Sequence, residues 1–428
     1  MRTEAGTTRK RVVSGMRPTG RLHIGHYFGA LANWVRLQED PAYDCFYFIA
    51  DWHALTSDYA DTSAVAQNTI EITTDYLAAG LDPAKSVIFQ QSQVPEHAEL
   101  HLLLSMVTPL GWLERVPTYK ETLENIKDKD LHTYGFLGYP ALQTADIVIY
   151  SEESVPLFVP VGEDQVSHVE LSREIVRRFN TYYGLDVDMS GIDADKKAAG
   201  FIARLLPKLH AQDLELFHEA WRRSIKSAVL EWGIANFFDK IEPYRKYFKY
   251  AAELTEPQVL LTTTPRVPGL DGRKMSKSYG NAITLSESDA NIRAKTLVMK
   301  TDPARQRLSD PGDPDKCPVY DWHKLFSAGE PGRLEWVENG CRTAAFGCKV
   351  CKTAMADNLI QWIAPVRERR VEYEKHPGRV LEILDAGSKR ARGVAQLTME
   401  RAREAVFGWK RKREEIHAGF TEVHDSHG

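Results

Sequence analysis

Four short apolar runs, each leading into a stretch of helical periodicity, constrain this chain more than any other feature. RVVS (11–14), CFYFIAD (45–51), SVIFQQS (86–92) and SVPLFVPVGE (154–163) have the length of buried strands. The first runs through a Gly/Pro turn, GMRPTG, into an apolar pattern from His23 through Leu37 that suits a helix. Strands buried on both faces read as nearly continuous apolar runs, and strands that alternate with helices pair in parallel. The expected fold is therefore α/β, with a doubly wound, Rossmann-like parallel sheet. Ligands of such sheets bind beyond the carboxyl ends of the strands.

The pattern changes after Gly184. From about Leu185 to Leu254 the chain has helical periodicity, abundant charge and no strand pattern, which reads as an inserted helical element. Strand and turn character returns with VLLTTTPRVPGLDG (259–272), and from about Asp289 onward helices dominate. The expected organisation is a catalytic domain in two parts, 1–184 and 255–288, interrupted by a helical insertion at 185–254 and followed by an α-helical domain at 289–428. With 43% hydrophobic and 27% charged residues, a packed globular protein is expected. No run approaches the roughly 18 apolar residues of a membrane helix. The polar, basic N-terminus MRTEAGTTRKRVV lacks the apolar stretch of a secretory signal, so a cytoplasmic location is expected.

A net charge of −4 decides nothing about a polyanionic partner, but its distribution is uneven. Between Arg367 and Arg413 there are fourteen Lys and Arg against seven Asp and Glu. On charge alone, a solvated helical face explains them. The five cysteines are uneven too: Cys341, Cys348 and Cys351 fall within GCRTAAFGCKVC (340–351), and Cys317 precedes them. Four thiolates spaced C-x23-C-x6-C-x2-C suit tetrahedral zinc or a cubane iron–sulfur cluster, and the spacing does not choose between them. Cys45, inside an apolar strand, reads as a core residue.

Two further segments carry chemistry. HIGH (His23 to His26) opens the first helix, where Gly25 lets a flat ring approach the backbone while two imidazoles and the helix N-terminus face phosphate oxygens. KMSKS (Lys274 to Ser278) puts two ammonium groups and two hydroxyls on a Gly-flanked loop, able to close over a triphosphate as negative charge builds on departing pyrophosphate. Each piece alone is a common surface pattern; as an ordered pair they are specific.

The pair resembles the class I aminoacyl-tRNA synthetases. SGMRPTGRLHIGH (14–26), FIADWHALT (48–56), GYPALQTADIVIY (138–150) and VPVGEDQVSHVELSREIVRRFN (159–180) are similar, in this order, to the tryptophanyl-tRNA synthetase family. The resemblance implies activation of L-tryptophan by ATP with Mg²⁺, transfer to tRNA(Trp), and a homodimer. It implies catalytic roles for His23, His26, Lys274 and Lys277. ATP would also be bordered by Arg17, Pro18, Thr19, Gly25, Gly162, Glu163, Asp164, Met275, Ser276 and Ser278. Tryptophan would meet His53, Tyr139, Gln143, Asp146 and Gln165, with Asp146 accepting the indole N–H and Tyr139 and Gln165 holding the α-amino group. An indole offers one donor on a large apolar body, so one well-placed acceptor suits it.

A subgroup of these enzymes carries a [4Fe–4S] cluster on nearly the spacing of Cys317, Cys341, Cys348 and Cys351, in the domain that meets the tRNA anticodon. The resemblance thus favours iron–sulfur over zinc, and makes phosphate contacts by the basic segment plausible. Three alternatives are a tyrosyl-tRNA synthetase, a non-catalytic tryptophan- or RNA-binding iron–sulfur sensor, and a small-molecule nucleotidyltransferase. Gln143 and Asp146 form a Q-x-x-D pair shared with the tyrosyl branch; Val13, where that branch has a tyrosine, points away from it.

Overall fold

In the computed structural model, which describes residues 9–125, 129–206, 217–262, 265 and 267–425, the apolar runs form the expected sheet. Its strands are β1 Lys10–Met16, β2 Tyr43–Ile49, β3 Ser86–Gln90 and β4 Leu157–Val161, completed by a late strand after a two-stranded ribbon of β5 Leu185–Val187 and β6 Phe248–Tyr250. That last strand is β7 Gln258–Leu261. The order is β3-β2-β1-β4-β7, all pairs parallel. The strand order reverses between β1 and β4, which opens the crevice of a doubly wound sheet there.

Period two divides the strand residues between two cores. Val12, Cys45 and Tyr47 join Trp34 and Tyr76 on one face; Val13, Phe46 and Phe48 join Leu100, Ala145 and Phe179 on the other. Burial of each such side chain stabilises by about 1.5–3 kcal/mol. The first core runs on without a break into Trp322, Met355, Leu359 and Ile363 of the C-terminal helices. The expected helix from His23 to Leu37 is present in three pieces: Ile24–His26, a π-helical turn Tyr27–Leu31, and Ala32–Glu39.

The segment after Gly184 folds around a core of its own, with Ile192, Trp221, Ile225 and Phe237 buried. Asp195 starts one of its helices, Lys196–Leu205, by accepting the N–H groups of Lys197 and Ala198. The expectation of no strands here is corrected by β5 and β6, which pair antiparallel. Three residues each are too short to write a pattern. Residues 207–216, inside this segment, lie outside the described residues.

Beyond residue 289 the chain is helical, through Cys348–Lys375, Pro377–Phe407 and Trp409–Asp425. The Pro377–Phe407 helix covers the exposed edge at β3, placing Leu384 in the first core and Ala391 and Met399 in the second. A Cβ on Gly387 would sit 1.8 Å from the Ile88 carbonyl oxygen, and Ser388 Oγ accepts the Gln90 N–H at 3.2 Å. A sheet edge that would otherwise present free donors is covered. Most of the basic side chains in this segment are exposed, but several of them also reach the α/β part. Arg369 donates to Ala78 O (2.7 Å), Arg390 to Pro83 O (3.2 Å) and Arg401 to Ser151 O (2.8 Å), while Arg392 and Arg403 pair with Glu96 and Glu99.

Gly387→Val is expected to lower stability by about 1–3 kcal/mol, the range for overpacking a close contact. The check is the midpoint of chemical denaturation; an unchanged midpoint would mean the helix does not need this approach to Ile88.

Candidate active site at the carboxyl edge of the sheet

The two signature segments, some 250 residues apart in sequence, are joined by backbone hydrogen bonds. Leu285 N–H donates to Leu22 O (2.8 Å) and Ile24 N–H to Ile283 O (3.0 Å), while His23 pairs antiparallel with Thr284. The loop Lys274 to Ser278 is thereby carried over the start of the first helix. His23, Gly25, His26, Val267, Lys274 and Met275 line one cleft of about 420 Å³. Met275 packs onto Gly25, where an added Cβ would lie 3.5 Å from Met275 Cβ and 2.9 Å from His23 Nδ1. Lys277 reaches across and donates through Nζ to the carbonyls of Thr19 and Arg21.

Local bonds fix the chemistry of the two imidazoles. The His26 N–H donates to His23 Nδ1 (3.3 Å) and the His23 N–H to His26 Nδ1 (3.2 Å), a reciprocal cap, and the rings stack with centroids 3.6 Å apart. An Nδ1 that accepts leaves the proton on Nε2, so each ring is a neutral Nε2–H donor. Burial, with Lys277 adding, lowers the His23 pKa to about 4. Burial, then His23 and Lys277, lowers His26 to about 3. Near neutral pH these rings donate hydrogen bonds without carrying charge, and the cations lining the cleft are Arg273 and Lys274.

The loop is held by a residue the sequence reading did not single out. Asn281, buried, accepts the Ser276 N–H (2.8 Å) and donates to Asp271 Oδ1 (2.8 Å) and Lys274 O (3.2 Å). Ser276 and Ser278 bond through their hydroxyls at 2.9 Å. Arg17, Pro18, Thr19, Gly162 and Glu163 are not among the residues lining this cleft. Arg17 is exposed and donates to Ser57 Oγ (3.3 Å), Pro18 is buried, and Gly162 caps the short Glu163–Gln165 helix after β4. The Asp164 side chain is outside the described residues.

A second cluster gathers around Asp146, which is 1% exposed. His53 Nε2 meets Asp146 Oδ2 at 2.8 Å; His97 Nδ1 and Gln91 Nε2 meet Oδ1 at 2.6 and 2.7 Å, and His97 Nε2 continues to Tyr150 OH at 2.7 Å. Burial alone would raise the Asp146 pKa, but hydrogen bonds and charge from His53 and His97 outweigh it and bring it down to about 2. The carboxylate is thus ionised, oriented and already bonded to three donors, leaving one of its roughly four acceptor sites. Beside it, the Tyr139 ring lies 6.4 Å from His53 and 5.8 Å from His168, centroid to centroid, and His168 Nδ1 bonds Gln143 Oε1 at 3.2 Å. Gln165 is half-buried at the end of the short helix. Gln91, His97, Tyr150 and His168 are additions of the structure. Only Gln91 left a trace in sequence, as a polar residue just past the carboxyl end of a strand.

The family pattern described as tRNA synthetases class I (W and Y) matches residues 5–212 and 241–363 of this chain. The chain belongs to the class I tRNA synthetases of that W and Y family. A tryptophan–tRNA ligase of Ralstonia nicotianae is 49% identical over 401 residues, 93% of this chain and 98% of that protein. One of Thermotoga maritima is 43% identical over 92% of this chain and 98% of its own length. The crystal structure of Campylobacter jejuni tryptophanyl-tRNA synthetase, complexed with ADP and tryptophan, superposes with a TM-score of 0.67 at 29% identity, covering 92% of this chain and 99% of that one. Among the described residues of this synthetase, no helix is long and apolar enough to cross a membrane.

The four clustered cysteines of the synthetase share one neighbourhood and form no disulfide. Burial pushes the Cys351 thiol up to about 12, with Cys317, Cys341 and Cys348 adding to it; burial likewise raises Cys317 and Cys341. Arg305 reaches to 3.9 Å of Cys341 Sγ, and His323 Nε2 lies 3.4 Å from Cys351 Sγ. Gly312 leaves space for sulfur, since a Cβ there would be 2.7 Å from Cys341 Sγ. Among the described residues, no three or more His, Cys, Asp or Glu side chains converge closely enough to hold a metal ion. The closed four-sulfur site expected from spacing is here a loose gathering of thiols.

A carboxyl whose folded pKa is depressed stabilises the fold above its unfolded value and loses that contribution as pH falls towards the folded one. Asp146 should therefore supply roughly 2 kcal/mol at neutral pH, lost between about pH 4 and pH 2. Acid-unfolding curves of the protein and of Asp146→Asn are expected to converge over that interval; parallel curves would remove the imidazoles as the source.

Proposed function

We propose that this chain activates L-tryptophan with ATP and transfers it to tRNA(Trp). The single observation that carries the reading is the backbone closure of Leu22–Ile24 on Ile283–Leu285, which sets two neutral Nε2–H donors opposite Lys274 within one cleft. The 49% identity to a curated tryptophan–tRNA ligase over nearly the full length supports the choice of amino acid.

In the first step a tryptophan carboxylate oxygen attacks the α-phosphorus in line; a bond to the bridging oxygen breaks and pyrophosphate leaves with the electron pair. The protein needs no covalent chemistry for this, only positioning and charge neutralisation. His23 and His26 donate to phosphate oxygens through Nε2, and Lys274 and Lys277 follow the charge that grows on pyrophosphate. For Lys277 this means leaving the carbonyls of Thr19 and Arg21. Mg²⁺, when bound, neutralises phosphate charge; among the described residues no carboxylate lines the cleft, which fits an ion carried by the phosphates. In the second step a terminal ribose hydroxyl of the tRNA attacks the carbonyl carbon and AMP leaves. The remaining acceptor site of Asp146 takes the indole N–H, while Tyr139, Gln143, Gln165 and His53 surround the amino acid. Phenylalanine would leave that last acceptor site empty, and discrimination against it follows from the lost hydrogen bond.

Two finer readings belong with this function. Cys317, Cys341, Cys348 and Cys351 hold a [4Fe–4S] cluster in preference to zinc. Four sulfurs in one neighbourhood, with Arg305 beside Cys341, suit an anionic soft-metal centre. The group would fix the loop around Cys341 to Cys351 and takes no part in the two steps. A second copy of the chain covers the exposed apolar side chains of Leu102, Met106, Leu110 and Tyr134, giving a homodimer.

Lys277→Ala is expected to lower tryptophan-dependent ATP–pyrophosphate exchange by about 10²–10³ fold, the cost of one well-placed transition-state donor. Tryptophan binding by equilibrium dialysis should stay within a few fold. Unchanged exchange removes the loop from the reaction, and preference for tyrosine overturns the substrate. Anaerobic purification should give protein with about four irons and four acid-labile sulfides per chain and the mass of two chains by light scattering. Zinc without iron overturns the cluster, and a single-chain mass the dimer.

A further inference from the structure

The Cys348–Lys375 helix is tied to the Val65–Ala79 helix of the α/β part by a buried cation, Arg370. The Arg370 side chain is 2% exposed and that of its partner Asp75 0%. Arg370 also pairs with Glu71 and, through Nε at 3.0 Å, with Glu374. Burying a guanidinium without partners costs several kcal/mol, and an apolar pair would fill the same space without that cost. Retained charge here calls for a reason beyond packing.

The second oxygen of Asp75 supplies one. Asp75 Oδ2 accepts the backbone N–H of Leu22 at 2.6 Å, the residue before His23. The Leu22 carbonyl in turn accepts from Leu285, and the adjacent Arg21 carbonyl accepts from Lys277. Glu71 extends the same cluster to Arg21 at 2.9 Å. Burial pushes Asp75 up to about 6 even with Arg370 beside it, so the carboxylate depends on the arginine. A chain of direct bonds thus runs from the C-terminal helix to the turn that aims both imidazoles.

We propose that Arg370 is a positioning residue for amino-acid activation: by holding Asp75 against the Leu22 amide, it sets the aim of His23 and His26 and links it to the docking of the Cys348–Lys375 helix. This rests on the activation reaction proposed above and names a residue for it.

The test uses the full chain with Arg370→Gln, Arg370→Lys and, as a control on the exposed face of the same helix, Glu372→Gln. In tryptophan-dependent pyrophosphate exchange, Arg370→Gln should lower kcat by about 10–100 fold, as expected for misplaced catalytic groups, with KM for tryptophan within about threefold. Arg370→Lys should recover part of the loss, and Glu372→Gln should match the parent. Hydrogen–deuterium exchange should speed up at residues 18–26 in Arg370→Gln while β2 and β3 keep their protection. Unchanged kcat, or faster exchange spread evenly over the sheet, overturns the positioning role. If the parent protein exchanges no pyrophosphate, the activation reading fails, and exchange at residues 18–26 alone then decides whether Arg370 holds the turn. Should Arg370→Gln not fold, the same readouts on Arg370→Lys decide.

Discussion

The site depends on a short antiparallel contact: Leu22 to Ile24 bonded to Ile283 to Leu285. Without it, the imidazoles and the lysine loop would belong to distant parts of the chain. Two backbone amides cost little to pair because their carbonyl partners are equally in need of bonds within a buried setting. The fold gains register from the contact, and the cleft gains both of its walls. Asn281 then shapes the loop that hangs from this contact, and Lys277 rests across the turn.

Electrostatics divides the site into two kinds of polar group. Around the cleft, imidazoles are buried next to a lysine and stay neutral, so they contribute direction without repelling the cations that a triphosphate needs. Around Asp146 the opposite holds: imidazoles surround a carboxylate and keep it ionised despite full burial. The same side-chain type is therefore used as a neutral donor in one place and as the support of an anion in the other. Which role applies is set by the nearest charge.

The C-terminal helices act on the catalytic sheet more than their separate position in the chain suggests. Their apolar residues continue one core of the sheet, Gly387 allows contact with β3, and a series of arginines caps carbonyls and carboxylates of the α/β part. Arg370 reaches furthest, to the carboxylate that holds Leu22. A charge count alone reads this segment as basic surface, and most of it is; Arg370 is the exception, buried against the α/β part.

The sequence by itself determined the parallel sheet, because runs such as CFYFIAD and SVIFQQS have no other stable burial, and it determined the chemistry of the cleft, because HIGH and KMSKS name their own donors. Val12 and Val13 already carried the division into two cores, through period two. Only the tertiary structure decided the partners. His97 sits in EHAELH, which reads as helix surface, yet it points at Asp146, and Arg370 reads as one more solvated charge, yet it is buried on Asp75. The ribbon β5–β6 is too short to be visible as alternation. The physical reason is the same in each case: periodicity and motif report what a residue can do locally, whereas hydrogen-bond partners and burial are set by elements far away in the chain.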